Sequence, residues 1–249
     1  MNERRPWCRN AVGIAGLLLL TQGPFMGRSG AAHYAWLGHT ACPWEPASCE
    51  SQVPAGFKPL GDFDHGIYRT LDESSPEWRG EDRTEPLRTR QGQLIAHVSA
   101  RFRRQLNVDG SARLRDGRVV NIEGTSDGQS RYLVVEHAPF GVGAPGYKLM
   151  PYRTVSVDPK RIPLGTVLFI PALVGIRLPS GELHDGFCFA HDTHEGTSDS
   201  IGIFVGFDRD VDRAVKELAA KPALRLYHPD SEASAVLNRR FKDQFEWSG

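Results

Sequence analysis

Two short stretches carry the side chains best suited to chemistry. The first is Val155-Ser156-Val157-Asp158-Pro159, running on through Lys160-Arg161-Ile162-Pro163-Leu164-Gly165-Thr166 to Ile170-Pro171. The second is Phe189-Ala190-His191-Asp192-Thr193, followed by a polar turn and then Ile201-Gly202-Ile203-Phe204-Val205-Gly206. Each reads as an apolar strand that ends in an aspartate at a turn. A carboxylate so placed has an apolar wall behind it and a polar loop in front, and partial burial would let it act as a general acid near neutral pH. The ordinary alternative is an aspartate that accepts backbone N–H bonds within its own turn. Asp199 and Glu195, in the loop between the two halves of the second stretch, are the nearest further carboxylates. His191, Asp192, His194 and Glu195 also form a cluster that could ligate zinc with a distant partner such as His184 or His228, but on a strand His191 and His194 point to opposite faces. Polar loop residues lining a cleft are the plainer reading of that cluster. Glu136 and His137 end another strand and could reach the same cleft, while Arg153 and Lys160 are either solvated charges or contacts for anionic groups.

The elements that must position these groups are mostly short strands. Runs at 131–136, 152–158, 166–171, 186–191 and 201–205 are separated by turn material at 125–128, 141–146 and 179–181. Asp116-Gly117, between Ala112/Leu114 and Val119/Val120/Ile122, predicts a hairpin whose two central residues both take positive φ. Many short strands with such breaks point to a closed or nearly closed barrel. One helix is expected over 209–220, from Val211, Ala214, Val215 and Leu218, with Asp208 as cap and Lys221-Pro222 as stop. A last strand at 224–227 and a short helix capped by Ser231 would follow. Residues 92–106 fit strand or helix. Residues 33–91, interrupted by six prolines and ending in a dense charge cluster, read as an irregular N-terminal region and linker. The chain therefore divides into 1–32, 33–91 and a barrel domain at 92–249.

The first of these parts is an export signal by composition: Arg4, Arg5 and Arg9 precede a ten-residue apolar run, Ala11 to Leu20, and small residues at 29–32 offer a cleavage site. The run is too short to span a bilayer, so no transmembrane span is expected in the mature chain. Export implies the periplasm, the cell envelope or the medium. There, Cys42 and Cys49 would close a local disulfide, and Cys188, in an apolar stretch, would be an inert buried thiol. The 249 residues carry 30 basic and 30 acidic side chains, and loss of 1–32 leaves 26 against 29. Neither balance suits a dedicated nucleic-acid binder.

The two motif stretches resemble the three-aspartate (3D) domain family, which includes the barrel of membrane-bound lytic murein transglycosylase A. The family pattern is roughly VDP…IPLGT.L.IP followed by A.DTGG.I.G..ID.F.G, and VSVDPKRIPLGTVLFIP matches its first half closely. The hairpin at 175–185 and, more weakly, 108–121 are similar to the transglycosylase branch. The likeness covers about residues 107–228. It implies a mainly β fold, a double-psi β-barrel, here with an irregular N-terminal region and one or two short C-terminal helices. It also implies cleavage of peptidoglycan glycan strands with no cofactor and no metal. In that chemistry a carboxylic acid protonates the oxygen leaving MurNAc C1, and the same group helps the C6 hydroxyl attack C1 to give a 1,6-anhydro sugar.

Asp158 and Asp192 match the family's first two aspartates, but the third, the acid of the transglycosylase branch, falls on Gly202. The expected catalytic groups are therefore Asp192 and Asp199, with Asp158, Thr193, His191, His194 and Glu195 contacting substrate. The expected function is a lytic transglycosylase working from a shifted loop; the alternative is a barrel that binds glycan without cutting it, and the third reading is a metal-dependent hydrolase built on the histidines. An Asp192 sharing an open groove with Asp199 or Glu195 favours the first. An Asp192 buried against backbone donors favours the second.

Overall fold

A computed structural model describes residues 52–144, 146–178, 180–194, 196–218 and 223–241. The segment 1–51, with its expected export signal and Cys42–Cys49 disulfide, lies outside the described residues, as does Glu195.

The first element overturns an expectation. Residues Phe57–Asp72, inside the stretch read as irregular, form the longest strand described, β1. It is followed by β2 (Glu85–Arg88), β3 (Leu94–Val98), helix α1 (Ala100–Asp109), β4 (Ser111–Arg113), β5 (Val119–Ser126) and β6 (Gln129–Val135). Then come β7 (Thr154–Val157), β8 (Val167–Phe169), β9 (Phe187–Thr193), β10 (Ser200–Phe207), α2 (Val211–Leu218), β11 (Leu224–Pro229) and α3 (Ser231–Arg240). Pro59 and Gly61 hide β1 in the sequence. The strand absorbs them at an irregularity against β11, where the register shifts between Pro59 and Gly61.

Six strands close on themselves in the order β10-β7-β9-β8-β11-β1, with β1 pairing back onto β10. The β1/β10 and β7/β9 pairs are parallel and the others antiparallel. This is the closed mainly β barrel expected, and closure leaves it without open edges. Its core is the inward set of the alternating strands: Val155, Val157, Leu168, Ala190, Ile203 and Leu226 among them. Each of the valine, leucine and isoleucine side chains among them contributes about 1.5–3 kcal/mol when fully buried. Cys188 belongs to the same cluster, and burial pushes its thiol well above the usual range, as an inert thiol requires.

The barrel is interrupted by a second lobe. After Tyr68 the register of β1 against β10 shifts, and Leu71 and Asp72 pair in parallel with β4, which continues through β5 to β6. The β2/β3 hairpin and α1 complete this lobe around Leu71, Trp78, Leu87, Phe102, Val120 and Tyr132. The ambiguous 92–106 is both strand and helix: β3 ends at Val98, and Ser99 caps α1 by accepting the Phe102 N–H at 3.1 Å. The chain leaves the barrel at Arg69–Thr70 and returns along 136–153.

Three local expectations need correction. In the β4/β5 hairpin only Gly117 has positive φ (88°), because the loop is a turn over 114–117 closed by a Gly117 N–H to Leu114 C=O bond. Asp208 does not cap α2; Asp210 accepts the Phe207 N–H at 3.0 Å, and Asp208 pairs with Arg69 across the lobe junction at 2.6 Å. The α3 cap is Asp230, accepting the Ala233 N–H at 3.0 Å, and Ser231 is the first helical residue.

Candidate functional site

The two motif stretches come together because β7 and β9 are adjacent parallel strands. Ser156 lies opposite Asp192 and Val157 opposite Thr193, with a register shift that lets β9 skip His191. On the other side of β7, Ser156 lies opposite Gly202, and Gly202 lies opposite Gly66 of β1. Asp192, Ser156 and Gly202 thus form one cross-strand row, while Val155, Val157, Ile201 and Ile203 point into the barrel.

Asp192 is 3% exposed. Its Oδ1 accepts the Thr193 N–H at 2.8 Å and the Ala144 N–H at 3.2 Å. Donors of this kind stabilise a carboxylate's negative charge rather than its protonated form. Gly143 closes over it: a Cβ there would stand 2.9 Å from Asp192 Cγ and collide with the His191 carbonyl. At Gly202 an added Cβ would overlap Ser156 Oγ and come within 3.2 Å of the Tyr68 ring. The row therefore has no room for a carboxyl at 202 while Ser156 keeps its place.

Asp158 follows the ordinary turn reading. Its Oδ1 accepts the Lys160 N–H at 2.9 Å and its Oδ2 the Ser198 hydroxyl at 2.8 Å. The Lys160 N–H, and then the Ser198 hydroxyl, hold this carboxyl below its ordinary range. The Ser198 bond ties the 196–200 loop to β7. Asp199 on that loop faces solvent, 74% exposed at the side chain, with Arg161 Nε 3.6 Å away. Asp199 and Asp192 are therefore not equivalent partners: one is open and ion-paired, the other enclosed.

Two of the histidines bond to main-chain groups. His194 Nδ1 accepts the Gly196 N–H at 2.7 Å, and its Nε2–H donates to the Ser200 carbonyl at 2.8 Å. His184 makes the same pair of bonds to Gly186 N–H (2.8 Å) and the Tyr152 carbonyl (2.9 Å). Each is the first residue of a His-x-Gly triplet, and this repeat in the sequence was the available signal for two turn staples. His191 is buried with its ring stacked on Tyr147 (centroids 4.3 Å apart) and Phe189 (5.2 Å). Burial lowers both His184 and His191 to about 4, so both are neutral at pH 7. Among the described residues, no three His, Cys, Asp or Glu side chains converge as a metal site would need, and both ring nitrogens of His184 and His194 are already engaged.

Other expectations fall elsewhere. Glu136 and His137 line a hollow of about 470 Å³ with Gly117, Arg118 and Val134, on the β5/β6 side of the second lobe. Arg153 is bound to Asp185 and to the Phe187 carbonyl. Tyr68, beside Gly202 and packed against Phe204 at 5.3 Å between centroids, was invisible to sequence reasoning because β1 was.

No known family model matches the chain, and no curated protein matches it in sequence. Solved structures align with part of the chain. Escherichia coli MltA with bound chitohexaose aligns over 70% of this chain and 76% of its own, at 16% identity and a TM-score of 0.45. The lytic transglycosylase LtgG of Burkholderia pseudomallei aligns over 74% and 80%, at 18% identity and 0.39. A membrane-bound lytic murein transglycosylase from Agrobacterium tumefaciens aligns over 76% and 77%, at 15% identity and 0.35.

Proposed function

We propose that this chain is an exported cell-envelope protein whose barrel binds peptidoglycan glycan strands without cutting them. The motif resemblance to the 3D family supplies the ligand class. The observation that carries the non-cutting reading is the state of Asp192: enclosed, and with a carboxylate oxygen accepting two main-chain N–H groups. Main-chain donors favour the charged form of a carboxyl group, and a carboxylate in that form has no proton to hand to a leaving oxygen. Gly202 cannot move a proton at all. Among the described residues no helix is long and apolar enough to cross a membrane.

A second reading, lytic cleavage, is favoured by one feature: Asp199 presents a solvent-facing carboxyl on the loop that Ser198 ties to Asp158. The experiment incubates purified protein with purified sacculi and examines both the pellet and the soluble fraction. Retention on sacculi with no 1,6-anhydro sugar by mass spectrometry is the expected result. Release of 1,6-anhydro muropeptides that is lost in Asp199→Asn would replace the binding reading with the cutting one. Absence of both retention and product would end both.

A further inference from the structure

The site is not built by the barrel alone. We propose that Asn121, on β5 of the second lobe, is a positioning residue for Asp192, acting across the lobe boundary through the main chain of 142–144. Asn121 is 1% exposed and makes no contact with solvent that would explain a polar side chain at this place. Its Nδ2 donates to the Val142 carbonyl at 2.7 Å, and its Oδ1 accepts the Val142 N–H at 3.0 Å. A side-chain amide that satisfies both main-chain groups of one residue acts like a strand partner and fixes that residue in orientation as well as position.

Two residues further on, the Ala144 N–H reaches Asp192 Oδ1. The linking residues are glycines for steric reasons on each side. A Cβ at Gly141 would come within 2.5 Å of Asn121 Oδ1, and Gly141 has φ of 87°. A Cβ at Gly143 would press on Asp192. The strap is thus clamped between an amide of one lobe and a carboxylate of the other. The position of the Ala144 donor on Asp192 Oδ1 is therefore set from the second lobe as well as from the barrel.

The proposal rests on the reading that Asp192 serves the glycan site, and its test separates the two. Asp192 is followed by carboxyl carbon-13 NMR titration in the wild type, Asn121→Ala and Gly143→Ala; the second variant displaces the strap while keeping the amide. Loss of a main-chain donor raises a carboxyl's midpoint, and a rise of about one pH unit is expected in both variants. An unchanged midpoint in folded Asn121→Ala, or in Gly143→Ala should the first variant not fold, overturns the proposal. In parallel, sacculus binding is measured in a double-mutant cycle with Asp192→Asn. About tenfold weaker binding for Asn121→Ala, shrinking to less than about twofold in the Asp192→Asn background, is expected if the amide acts through that carboxylate. Equal weakening in both backgrounds overturns the route. Should Asp192→Asn bind sacculi as the wild type does, the glycan reading fails, while the titration still decides the positioning role.

Discussion

Acidification is the perturbation whose effect is best worked out from the interior. His184 and His191 titrate near 4 in the fold because burial penalises their charged forms, against an ordinary 6.5. The unfolded chain therefore takes up protons at pH 6.5 that the folded chain refuses until about pH 4. The stability these residues confer is complete above pH 6.5 and declines as pH falls toward 4. Between pH 7 and 4.5 each histidine gives up about two pH units of linkage, and the pair costs about 5 kcal/mol at 1.36 kcal/mol per unit. Asp109 works the other way. Burial lifts it from 3.8 to about 6, so its ionised form destabilises the fold at pH 7, and acidification to 4.5 returns about 2 kcal/mol. The net expectation is a loss of about 3 kcal/mol between pH 7 and 4.5, a sizeable part of an ordinary domain's stability. Urea unfolding followed by tryptophan fluorescence at pH 7, 5.5 and 4.5 measures it. Asp109→Asn removes the opposing contribution, so its loss over the same interval should deepen to about 5 kcal/mol. A wild type equally stable at pH 4.5 and 7, or an Asp109→Asn variant with the wild-type slope, would refute the burial argument.

Two further substitutions probe the architecture. Gly202→Asp should lower stability by about 1–3 kcal/mol through overlap with Ser156 and Tyr68, and Gly202→Asp combined with Ser156→Gly should recover part of that loss in the same unfolding assay. Asp208→Ala removes the Arg69 ion pair and the acceptor of the Asp72 N–H at the junction between the lobes. It should cost about 1–3 kcal/mol and speed hydrogen exchange at Asp72, with barrel amides of β8 and β9 unaffected.

The amino-acid sequence alone determined the barrel's repetitive part. Strands β7 to β11 contribute to one shared core and are buried along most of their length, so short apolar runs broken by glycine and proline announce them, and the valine- and isoleucine-rich strands beside Asp158 and Asp192 were legible for that reason. The α2 helix was legible from its i, i+3, i+4, i+7 spacing, and Cys188 from its apolar neighbours. Local chemistry also identified Asp158, whose bonds are to a residue two positions on and to a nearby loop.

Tertiary structure alone decided the rest. β1 serves two lobes in succession, so no single alternation runs along it, and its partners β10 and β11 lie more than a hundred residues away. With β1 hidden, Tyr68 and the lobe boundary were hidden too. Whether Asp192 faces a cleft or a main-chain donor depends on Ala144, and the placement of Ala144 depends on Asn121; neither contact has a local pattern to reveal it. Strand character follows from each residue's near neighbours. The protonation chemistry of a buried carboxylate follows from whichever distant backbone the fold lays against it.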